Sequence, residues 1–254
     1  MIIKAIVFNT FKEAIRNRFL YLLFFLGIFF AFSSYIISLL SIGGEEKVLM
    51  DVGLAAINFF SVLIAIFTGI NLVYKEIDKK TVFNILSKPV SRENFIIGKF
   101  LGLAYTMFIT LFLMAIIFVL FLYIAIGSFD ANLFYFFILL YIELLVIISI
   151  SLLFSSFSTP ILSSIFTISI YLLGNVTWTF NYFKHMLTST LSKFIAYPIY
   201  YIFPNLDKFN IKNDLVSNGV VDLTNFFYSS LYGIFYTVTI LIITIIIFKR
   251  REFK

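Results

Sequence analysis

The chain has 254 residues, 61% of them hydrophobic and only 13% charged, with 35 phenylalanines, no cysteine and a formal charge of +6. A soluble domain is nearer half apolar and a quarter charged, so the solvent for most of this surface is lipid. The lack of Cys excludes disulfides, thiolate metal sites and a Cys nucleophile, and the basic residues fall in the gaps between apolar runs, which argues against nucleic acid as a partner.

Met1 to Arg18 reads as an amphipathic helix. Ile3, Val7, Phe8, Phe11, Ala14 and Ile15 share one face at helical spacing, and Asn9, Lys12, Glu13, Arg16 and Asn17 share the other. Such a helix lies in the membrane interface; the plainer reading is a solvated leader whose charges set topology. No cleavable signal peptide is evident, because the first apolar run lasts over twenty residues and has no small-residue cleavage site.

Six spans are expected: Phe19–Ile42, Val52–Tyr74, Lys99–Ile126, Leu133–Phe157, Ile161–Phe180 and Phe226–Phe248. Each is long enough to cross, or nearly cross, a hydrocarbon layer of ~30 Å at ~1.5 Å per residue. Gly43–Asp51 is expected as a short loop between the first two spans, and Gly127–Asn132 and Ser155–Pro160 as tight turns. Residues 181–225 form a long segment before the last span. In it Met186, Leu187, Leu191, Phe194 and Ile195 repeat at helical spacing until Pro198 and Pro204 break the chain. This segment is expected to form one or two helices resting on the outer end of the dimer and partly re-entrant, either a lid over an exit or simple packing cover. With no internal repeat and no linker, residues 1–254 read as a single all-α integral membrane domain.

Six spans put both termini on one side. That side, with the 75–98 loop, holds fourteen of the nineteen Lys and Arg residues, and the other side holds Lys47, Lys184, Lys193, Lys208 and Lys212. The positive-inside rule therefore predicts cytoplasmic termini and a cytoplasmic 75–98 loop, in the plasma membrane of a prokaryote.

The stretch Tyr74–Lys99 is the long charged interval between two apolar runs. Thr81–Ser87 can form a short helix that shows Val82, Phe83, Ile85 and Leu86, apolar residues with no span to belong to. Pro89 ends it. Ser91 can cap a new helix, with Glu93 favourable in its first turn, leading directly into the third span. Gly98 and Gly102 form a GxxxG pair there, which would admit a neighbouring backbone unless the spacing is fortuitous.

Inside the spans, Glu143 stands out near the middle of the fourth. A carboxylate at that depth is costly and marks a functional site by default. The bland alternative is a carboxyl hydrogen-bonded to Asn58 or Asn71 of the second span, or to a neighbouring Tyr. Trp178 suits an interface anchor, and the lone His185 has no partners that would make it a metal ligand. Enzyme motifs are missing: there is no HExxH, no Arg beside Glu45-Glu46 for an intramembrane protease, and no cue for a Ser-His-Asp triad. The GxxxxGK[ST] loop is missing too, so ATP would have to be bound by another chain. No cofactor is expected on this chain.

Glu76, Thr81 and the run Leu86-Ser87-Lys88-Pro89-Val90-Ser91-Arg92, followed by Phe95 and Gly98-Lys99, resemble the cytoplasmic loop of ABC-2 type transporter permeases. The likeness is to the six-span branch grouped with multicopper-enzyme maturation, of which the nitrous-oxide-reductase maturation permease is the named example. Lys12-Glu13 with Arg16-Asn17-Arg18, Ser155-Ser156, and Phe203-Pro204-Asn205-Leu206 are similar to the same branch. Lys80 departs from the Gly usual before the Thr. The resemblance implies a permease of two copies, identical or not, working with a separate ABC ATPase subunit, and an exporter. The N-terminal helix and the loop between spans 2 and 3 would be the ATPase contacts, with Glu76, Thr81, Val82, Phe83, Leu86, Pro89 and Arg92 as coupling residues. From a different class, a stand-alone secondary transporter, channel or assembly scaffold would have to rely on Glu143.

Overall fold

In the computed structural model, the structure describes residues 2–41, 43–78, 91–127, 130–176, 203–212, 215 and 221–250; of Ile2 and of 72–78 only the backbone is described. Among these residues the fold is helical. The elements are α1 (Ile2–Ile15), α2 (Arg18–Leu39), α3 (Glu45–Asp78), α4 (Arg92–Ile126), α5 (Leu133–Ser155), α6 (Pro160–Asn175), a short 3-10 turn (Leu206–Phe209) and α7 (Leu223–Arg250).

The helix ends follow local chemistry. The Asn17 side chain accepts a hydrogen bond from the Phe19 amide and starts α2. Ser91 starts α4 in the same way, accepting from the Asn94 amide at 3.2 Å, with Glu93 in the first turn. Gly127, at φ 79°, closes α4 with its amide on the Tyr123 carbonyl. Pro160 occupies the first turn of α6, where its missing N–H costs nothing.

The expected loop over Gly43–Asp51 is corrected. The turn is complete by Gly43 and Gly44, and α3 already begins at Glu45. Glu45 and Glu46 in its first turn are favourable there, because a helix N-terminus attracts negative charge. Charge alone had made the stretch look like a loop.

Five helices, α2, α3, α4, α5 and α7, are long and apolar enough to cross a membrane. α6 is a shorter apolar helix where the fifth span is expected, and 177–180 of that expected span lie outside the described residues. α5 is apolar almost all round and packs against α3, α4, α6 and α7. A helix with no polar face can be surrounded by lipid or by other helices; here its neighbours enclose it, and its residues from Leu139 to Leu152 are mostly buried. α2 and α7 instead turn Phe25, Phe29, Leu231 and Phe235 outward as lipid-facing surface.

The 3-10 turn lies between helices rather than above them. A side chain on Gly233 of α7 would collide with Ile142 of α5 and with the Phe209 ring, so the absent side chain makes room for Phe209 beside the middle of α5. Leu206 and Phe209 are fully buried. The described part of the 181–225 segment thus reaches inward among α5, α6 and α7.

Candidate functional site

The residues singled out in the sequence fall into two regions. The first is a joint at the start of α4. α1 lies along this end of α4, and the Gly98–Gly102 pair is where they meet. An added side chain on Gly102 would sit 2.9 Å from the Val7 carbonyl oxygen and 2.6 Å from Thr10 Cβ; on Gly98 it would meet Ile6. The pair therefore does admit a neighbouring helix, and the neighbour is the N-terminal one. Thr10 and Ala14 are fully buried in the contact.

The contact also holds a charge pair. Lys99 is 1% exposed, and its ammonium lies 3.6 Å from the Glu13 carboxylate. The helical wheel had set Glu13 on the outward polar face with Lys12 and Arg16. The structure turns it toward α4 because an ammonium removed from water needs a counter-charge. The α1 face turned to α4 is half-buried Ile6 with fully buried Thr10 and Ala14, while Phe8, expected on the apolar face, is exposed.

The same end of α4 is tied to the end of α7. Arg92 donates to the carbonyls of Phe248 (3.2 Å) and Lys249 (2.7 Å), filling acceptors that a helix C-terminus leaves open. Glu93 pairs with Lys249. The Phe95 and Phe248 rings stack at 5.6 Å, both fully buried. About three turns of α4, Arg92 to Gly102, therefore join α1 on one side to α7 on the other.

Of the expected coupling residues, Arg92 is in this joint, and Glu76 lies on the last turns of α3. Thr81, Val82, Phe83, Leu86 and Pro89 lie outside the described residues. Sequence reasoning gave Glu13, Phe95 and Lys99, named in the resemblance, no role in a joint, and missed Phe248. Lys99 carried a readable signal, as a cation just inside a long apolar run.

The second region is in the middle of the bundle. Glu143 of α5 is 2% exposed, and Asn58 Nδ2 donates to its Oε2 at 3.3 Å. The Tyr171 hydroxyl of α6 donates in turn to Asn58 Oδ1 at 3.5 Å. A carboxyl, an amide and a phenol thus link α5, α3 and α6. Asn71 is not part of this chain, since it lies thirteen residues further along α3, about 20 Å along the axis. Nearby, the Asn205 amide donates to the Tyr232 hydroxyl, and Lys208 lies over the Tyr232 ring at 4.6 Å. Burial raises the Asp207 carboxyl above its ordinary range.

These helices, their lipid-facing phenylalanines and the buried polar links define a multi-pass membrane protein with no catalytic constellation among the described residues. The ABC-2 family transporter proteins match the chain over residues 4–253, and the chain belongs to that family. It is accordingly a membrane-embedded permease component of an ABC transporter, a class that works with an ABC ATPase subunit. No curated protein matches the chain.

Proposed function

We propose that the chain is one of two permease copies of an ATP-driven exporter, with six spans and both termini in the cytoplasm. The 79–90 segment and α1 receive force from the ATPase. The observation that carries this reading is the joint at Ser91–Gly102: residues 79–90 feed directly into a helix start already fixed to α1 and to the end of α7. A displacement applied just before Ser91 would be passed to three helices together. The charge asymmetry of the loops supports the cytoplasmic placement.

The test is to replace Val82, Phe83 and Leu86 together with Ser. Loss of ATPase co-purification and of transport, with normal membrane insertion, is the expected result. Unchanged association and transport would remove 79–90 from the coupling path. Arg92 has a further expected role beyond the one its sequence position suggested. Its guanidinium is engaged by α7 carbonyls, so it holds the permease together in addition to any contact with the ATPase.

A further inference from the structure

A groove of about 320 Å³ runs beside the α1–α4 joint. One wall is Ile3, Val7 and Phe11 of α1, and the other is Leu101 and Tyr105 of α4, with Phe11 and Tyr105 in ring contact at 4.8 Å. Its lining is almost wholly apolar, which suits a hydrocarbon chain rather than a polar solute.

The rim is basic. Lys4 borders the groove, and Lys12, two turns further along α1, places its ammonium 4.7 Å over the ring of Phe8, which also borders it. Both lysines are exposed. Glu13 is the one acidic residue in α1, and it is turned inward to Lys99. The outward side of α1 therefore presents Lys4 and Lys12, with Arg16 just past its end, and no acid of its own helix to balance them.

We propose that this groove is a binding site for an anionic phospholipid. One acyl chain lies between α1 and α4, and the headgroup phosphate sits against Lys4 and Lys12. Charge complementarity selects this occupant over a second permease copy, whose apolar helix face would leave two ammonium groups unmatched. The assignment to the cytoplasmic leaflet rests on the topology proposed above; the lipid preference does not. An ammonium at an anionic lipid surface is worth about fivefold in partition.

The test uses the full chain in vesicles, without nucleotide, with Trp178→Phe and Leu101→Trp so that the sole Trp borders the groove. Quenching by brominated phosphatidylglycerol is compared with quenching by brominated phosphatidylcholine. A second reporter, Leu120→Trp, stands on the same helix about 29 Å away and is 57% exposed.

At position 101 phosphatidylglycerol is expected to bind at least about fivefold better. Lys4→Gln with Lys12→Gln should bring the two lipids to parity there. Position 120 should show no preference in either background, and its unchanged quenching would report an intact fold. Equal binding of the two lipids at 101, or a preference that survives the double substitution, would overturn the proposal. So would quenching by neither lipid at 101 while 120 is quenched, since that means protein covers the groove. Because no ATPase is present, failure here leaves the coupling reading standing, and failure of that reading leaves this one standing.

Discussion

Lys99 is a lysine almost out of reach of water, and its charge is tolerable because Glu13 comes to it from another helix. Breaking such a pair from one side leaves an uncompensated charge. Glu13 keeps about a third of its exposure, so the coupling lies between surface and buried values. Glu13→Gln, Lys99→Met and the double variant, compared by thermal unfolding in detergent, should give a coupling energy of about 1 kcal/mol or more. Additive effects would mean that the two charges do not sense each other. Glu143 sets a different problem. Glu143→Gln keeps an acceptor for the Asn58 amide and should leave stability nearly unchanged. Glu143→Leu strands that amide and should cost about 1–3 kcal/mol. If transport falls in the Gln variant while stability holds, the carboxyl has a role beyond joining α3 to α5. That Glu143 needed a partner was legible from its depth in an apolar run. Which amide would supply it was not, because Asn58 and Asn71 look alike until the register of α3 against α5 is known.

At the scale of helices, the α1–α4 contact depends on two missing side chains. Gly102→Ala would press a methyl group against the Val7 carbonyl, a backbone atom that cannot rotate away. Gly98→Ala meets the Ile6 side chain, whose Cγ2 can rotate but whose Cβ, 2.9 Å away, moves only with α1. Gly102→Ala should therefore cost about 1–3 kcal/mol and expose α1 to protease, with Gly98→Ala milder on both measures. Equal sensitivity at the two positions would mean that α1 is held by something other than close approach. The GxxxG pair and the Ser91 cap could be read directly, since each depends on neighbours in sequence. Two features could not. The orientation of Glu13 required knowing where α4 lies, because a helical wheel assigns faces without saying which face has a partner. The role of Arg92 required knowing that the end of α7 comes within reach of a residue more than 150 positions earlier. The inward course of 203–212 was only half visible. Its Pro204 was plain, but no apolar run announced that Leu206 and Phe209 would be buried.

At the scale of the whole molecule, the inward-reaching 3-10 turn is either a moving cover or fixed packing, and the cysteine-free chain allows a direct decision. The Leu206 side chain lies where a Gly174 side chain would be, with Leu206 Cγ 2.8 Å from the added atom. Cβ atoms in a disulfide are ~3.8 Å apart. The Pro204 carbonyl oxygen, 2.7 Å from the same added atom, must give way; provided the reduced Gly174→Cys, Leu206→Cys protein still transports, the pair should crosslink on mild oxidation. The expected outcome is that oxidation stops transport, reduction restores it, and ATPase association is unaffected throughout. Transport that continues in the crosslinked protein would make the segment packing cover. The all-helical class and the lipid environment were evident from composition, because no soluble fold hides so much Phe and Ile. The central position of α5 was not legible, because α2 is as apolar around its circumference and yet lies at the lipid-facing edge.

The tie between Arg92 and the end of α7 also bears on how the protein is made. Synthesis runs from the N-terminus, so α1 emerges long before the glycine groove on α4 exists to receive it. Once α4 is in place, the Glu13–Lys99 contact can form, but Arg92 still lacks its acceptors. Those carbonyls, at Phe248 and Lys249, appear only when α7 has been translated and threaded back across the bilayer. The joint is thus assembled in a fixed temporal order and closes last. A ribosome stalled before α7 would leave the element proposed to receive force from the ATPase without one of its two anchors, a state that membrane quality control could distinguish from the finished subunit.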